Sequence, residues 1–121
     1  MNYLDSAGIA AVFCICFIVG DFLSGVIKAA KNKELSSTKM RIGLYHKAGF
    51  IGAMLLGYGC QLAVNYELLP TSFSAVFGGV CMYVIITEAI SIFENLCAIS
   101  PELSDSPLAA LLKLKESKND D

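Results

Sequence analysis

The sequence predicts an all-α integral membrane protein with three transmembrane helices and a short C-terminal amphipathic helix, its N-terminus outside and its C-terminus cytoplasmic. Three observations carry this reading. Hydrophobic residues make up 55% of the 121 residues and charged residues only 17%, below the roughly 25% typical of a soluble domain. The charges are bunched, which leaves three nearly charge-free stretches of about 20 residues, the length a helix needs to cross hydrocarbon. Between the first two stretches, Lys28, Lys31, Lys33, Lys39, Arg41 and Lys47 face a single acid, Glu34. The positive-inside rule places that basic connector in the cytoplasm, which fixes the direction of every crossing.

In chain order, Asp5 or Ser6 is expected to cap a helix starting at about Ala7. The first span, about 7–27, includes Asp21, because the apolar run that ends at Gly20 is too short alone. Gly20, Ser24 and Gly25 give this helix a small-residue face for close packing. The basic connector, 28–46, continues the first helix through KAAKNK, turns at Ser36 and Ser37 with a new N-cap, and approaches the second span as a short segment.

The second span, about 47–66, is rich in small residues. Ala48/Gly52, Ala53/Gly57 and Gly59/Ala63 are spaced four apart, which lets helix backbones approach in lipid. Tyr66 to Pro70 form a tight outer turn, with Pro70 at the first turn of the next helix. The third span, about 71–93, carries no charge until Glu88 and Glu94 near its inner end. Residues 1–97 thus form one membrane domain. Residues 98–121 form a cytoplasmic linker marked by Pro101 and Pro107, then an interfacial or partly disordered tail. In that tail Leu108, Leu111, Leu112 and Leu114 alternate with Lys113, Lys115 and Lys118, the pattern of a helix lying on the membrane face.

Membrane depth makes Asp21, Glu88 and Glu94 informative. An ionised acid facing lipid costs a few kcal/mol or more, so these acids should face another helix or water. Asp21 or Glu88 is expected to pair with Lys47 or Lys28, or one acid to be protonated, and spacing leaves the choice open. Lys47 could equally snorkel at the span's start.

Several function classes are excluded. Glu88 and Glu94, six apart, do not stack on one helix face as a two-carboxylate site would. The one histidine, His46, has no partner at a persuasive spacing, and there is no phosphate loop, so no enzyme, cofactor or metal site is expected. The five cysteines, Cys14, Cys16, Cys60, Cys81 and Cys97, sit in apolar segments as small hydrophobes. The net charge of -2 predicts no nucleic-acid partner, and the basic clusters suit a membrane surface. The N-terminal run lacks the basic region of a cleaved signal and is expected to remain as the first span.

Three motifs in order, Asp21-x-x-Ser24-Gly25-x-x-Lys28-Ala29, Leu35-Ser36-Ser37-x-Lys39 with Gly43 and Lys47, and Glu88-x-x-Ser91-Ile92-x-Glu94-Asn95, resemble the phage holin family that includes clostridial toxin-secretion holins. The resemblance covers about residues 15–115. It implies a small protein of the host inner membrane that assembles as a homo-oligomer and opens lesions. Through these a cytoplasmic endolysin, or in some relatives a toxin, would cross. The competing class is a non-lytic membrane protein: a small channel, a scaffold or a regulator of a holin.

Overall fold

The computed structural model describes residues 3–107. Three long helices account for most of them: α1 (Tyr3–Lys31), α2 (Ser37–Asn65) and α3 (Ser74–Ile99). Short 3₁₀ turns precede and follow α3, at Thr71–Phe73 and Pro101–Asp105. The expected C-terminal amphipathic helix, from Leu108 onward, lies outside the described residues.

Helix α1 begins at Tyr3, so Asp5 and Ser6 fall inside its backbone rather than capping it at Ala7. At the other end the basic segment is mostly helical. Helix α1 continues to Lys31, and α2 starts at Ser37 with Ser36 as N-cap, its hydroxyl accepting from Lys39 N–H at 3.4 Å. The chain leaves α1 through a Schellman motif. Glu34 N–H donates to Ala29 O (2.8 Å), Lys33 N–H donates to Ala30 O (3.2 Å), and Lys33 takes the left-handed conformation at φ 56°. Helix α2 ends the same way, with Leu68 N–H on Ala63 O, Glu67 N–H on Val64 O, and Glu67 at φ 62°. Both positions suit glycine, since a Cβ is penalised in that region. Lys33→Gly and Glu67→Gly should therefore each leave stability unchanged or raise it by up to about 1 kcal/mol, read as thermal unfolding in detergent. Clear destabilisation by both would refute the two caps.

Helix α3 lies between the other two. It runs parallel to α1 along nearly its whole length and antiparallel to α2, whereas α1 and α2 scarcely touch. The core is one seam. From α3 it takes Phe77, Cys81 and Val84, from α1 Ala7, Cys14 and Ile18, and from α2 Met54, at the spacings that put residues on one helical face. Tyr58 packs edge-on against Phe77 and Phe50 against Tyr83. Lys31 Nζ closes the far end, donating to Ala98 O (3.0 Å) and Ile99 O (2.8 Å), the orphan carbonyls of α3.

The outer surface is apolar. Val12, Phe13, Leu23 and Ile27 on α1 are 55–60% exposed, and Leu55 and Leu56 on α2 are 67% and 70% exposed. Such continuous apolar exposure is untenable in water and ordinary in lipid. All three helices are long and apolar enough to cross a membrane. This is a multi-pass protein of the inner membrane.

Candidate functional site: a charged cluster inside the bundle

The seam that is apolar at one end turns polar at the other. On α3 the face of Phe77, Cys81 and Val84 continues into Glu88 and Asn95, both buried. On α1 the face of Cys14 and Ile18 continues into Asp21 and Ser24. Antiparallel α2 brings Lys47 to this level and turns its ammonium inward. Lys47 Nζ donates to Asp21 Oδ2 at 2.6 Å and to Glu88 Oε2 at 2.8 Å, so one side chain from α2 clasps an acid on each of the other helices. The three side chains are 12%, 14% and 4% exposed, which makes this an interior network rather than a surface pair.

Asn95 completes the cluster. Its Nδ2 donates to Asp21 Oδ1 (3.1 Å) and to Ser24 Oγ (3.0 Å), while the Ser24 hydroxyl donates to Asp21 O (3.1 Å). Among the described residues no buried side-chain nitrogen or oxygen lacks a hydrogen-bond partner. With two carboxylates and one ammonium, the ionised cluster carries one excess negative charge, which low dielectric makes costly unless polar groups or water surround it. A cavity of about 510 Å³ adjoins it and supplies that room.

The pairing left open by spacing is thus resolved: Lys47 meets both acids, and Lys28 lines the cavity instead. Glu94 points to the exposed side of α3. Of the small residues, Gly20, Gly25 and Gly57 sit at contacts within the chain. A Cβ on Gly20 would lie 3.2 Å from Ile92 Cδ1, one on Gly25 3.6 Å from Asn95 Nδ2, and one on Gly57 3.1 Å from Phe77 Cα. Gly52 and Gly59 face open space, Ala48 is exposed, and Ala53 and Ala63 are half-buried. The basic residues Lys33, Lys39 and Arg41 are exposed near the connector, while Lys31 caps α3. Sequence reasoning carried Asn95 in a family motif but did not single it out as a site residue. The available signal was its place seven residues after Glu88, two turns along the same face, where Glu94 is not.

Comparison with known proteins decides the family. The Bacteriophage holin family matches residues 3–116, nearly the whole chain. The chain belongs to the bacteriophage holin family. Similar proteins include an "Uncharacterized 14.9 kDa protein in nagH 3'region" of Clostridium perfringens, 34% identical over 113 residues, covering 91% of this chain and 80% of the relative. An uncharacterized protein of Clostridium perfringens (strain 13 / Type A) is 35% identical over 111 residues, covering 89% of this chain and 76% of that relative. No solved structure matches. Family membership and the three-helix bundle together support a holin-type lytic role in general, and a non-enzymatic one. In this holin-family chain the motif residues Asp21, Ser24, Lys47, Glu88 and Asn95 come together as one hydrogen-bonded cluster.

Proposed function

We propose that this chain oligomerises in the bacterial inner membrane and forms lesions through which an endolysin, or a toxin, crosses. The observation that carries the reading is the Asp21–Lys47–Glu88 cluster, a charged network held within a unit whose outside is apolar. Its polar groups are already at membrane depth. A small rotation or separation of helices can therefore expose them to a neighbouring subunit or a water path without first dragging charge into lipid. The open Gly52 and Gly59 positions on α2, with exposed Ala48, are the surface for a second subunit. Topology follows from the basic connector: N-terminus outside, connector and C-terminus in the cytoplasm. A tag after Asp121 should accordingly be shielded from proteases added outside intact cells.

The test is inducible expression in a bacterium with and without a cytoplasmic endolysin. Endolysin-dependent loss of optical density is the expected outcome. Confirmed insertion with no arrest and no lysis would favour a scaffold, a non-lytic channel or a holin regulator. Asp21→Leu refines the test, since it leaves Lys47 and Glu88 as a balanced pair. The variant should insert normally and lyse later or not at all, because the excess charge that draws water to the cluster is gone. Unchanged timing would remove Asp21 from the mechanism. Exposed Cys16 offers a crosslinking probe, and a chain that stays monomeric at lytic expression levels would end the oligomer model.

A further inference from the structure

The cavity beside the cluster has a shape and a charge pattern that the lytic reading does not use. Its back is α3, with Glu88 and Ser91, and its end is closed by the connector through Glu34, Leu35 and Ser36. Its sides are α1 and α2, presenting Phe22, Val26 and Phe50. Helices α1 and α2 scarcely touch, which leaves room for a chain to pass between them.

Charge divides the cavity. Lys28 on α1 and Lys39 on α2 line it, and neither makes an ion pair among the described residues. Glu34 beside them leaves one net positive charge at that end. Deeper in, Lys47 is already engaged by Asp21 and Glu88. The arrangement matches a ligand with one negative charge and an apolar tail. At about 510 Å³ the cavity falls within the usual range for small-ligand sites.

We propose that this cavity binds the phosphodiester headgroup of an anionic phospholipid of the phosphatidylglycerol type. The phosphate sits with Lys28 and Lys39, and an acyl chain leaves between α1 and α2 over Phe22, Val26 and Phe50. Lysine at the membrane surface attracts such headgroups, and the apolar side walls accept the chain. The site depends on the chain being in a bilayer and not on lysis, so a protein that fails to lyse cells could still bind.

The experiment uses the full chain in nanodiscs containing equal phosphatidylglycerol and phosphatidylcholine of identical acyl chains, followed by native mass spectrometry. One phosphatidylglycerol per chain should be retained in preference to phosphatidylcholine. The double variant Lys28→Gln/Lys39→Gln should lower that retention roughly thirtyfold, with helix content unchanged. Lys28→Arg/Lys39→Arg should restore it. Gly43→Phe, placed where a Cβ meets nothing within 4 Å, should fill the cavity and expel the lipid. Equal retention of the two lipids, or no loss in the glutamine variant, overturns the proposal. So does displacement by free glycerol phosphate at matched concentration, which would make the ligand a soluble phosphate.

Discussion

Lys47→Met is expected to cost about 3–5 kcal/mol of stability, the usual consequence of removing one partner from a buried ion network. Methionine keeps much of the side-chain volume, so the loss reports charge and hydrogen bonding rather than a cavity. Asp21 and Glu88, both held by one ammonium in the native chain, would then face each other with no cation between them. Because Lys47 is the only side chain joining α2 to both other helices in this cluster, α2 should loosen first. The measurement is thermal or denaturant unfolding in detergent, with hydrogen exchange along α2. The triple variant Asp21→Asn/Lys47→Met/Glu88→Gln gives the sharper comparison. It removes all three charges together, so no buried charge is left without its partner. Recovery of most of the loss in the triple variant is expected. A single variant as stable as the parent would show that the cluster contributes nothing to holding the helices.

Gly57→Leu is the second large effect. The first added atom would already lie 3.1 Å from Phe77 Cα and 3.6 Å from its Cβ, and a backbone atom cannot rotate out of the way as a side-chain tip can. Helix α2 must therefore move off α3, and the contact between Tyr58 and Phe77 goes with it. Overpacking of this kind costs about 1–3 kcal/mol. Gly52→Leu is the matched control, because a Cβ there meets nothing within 4 Å. Its stability in detergent should match the parent's or exceed it by up to about 1 kcal/mol, because glycine is a poor helix former. If subunits meet through that face, Gly52→Leu should still weaken oligomerisation and delay lysis. Equal destabilisation by the two substitutions would mean that the packing of α2 on α3 through Gly57 is wrong.

The difference between these two glycines marks the limit of reading by spacing. Both belong to small-residue pairs of the same type, and on a helical wheel they are equally good packing positions. Only the placement of α3 makes Gly57 an internal contact and leaves Gly52 open. Lys47 gives the same lesson. Its position at the start of an apolar run allowed snorkelling, yet its partners lie 26 and 41 residues away on two other helices. Asn95 was hidden for another reason: a neutral amide in an apolar helix carries little weight until an acceptor is placed beside it.

The sequence by itself determined an all-α fold of three helices long and apolar enough to cross a membrane. Lipid forces each span to satisfy its own backbone hydrogen bonds, so hydrophobic length alone dictates those features. The tertiary structure alone decided that α3 stands between the others, that Lys47 meets both Asp21 and Glu88, and that a cavity adjoins them. Those outcomes depend on how helices rotate and pack against one another. Between helices in lipid, that choice rests on close steric fit and a few polar contacts distant in sequence, which no local pattern encodes.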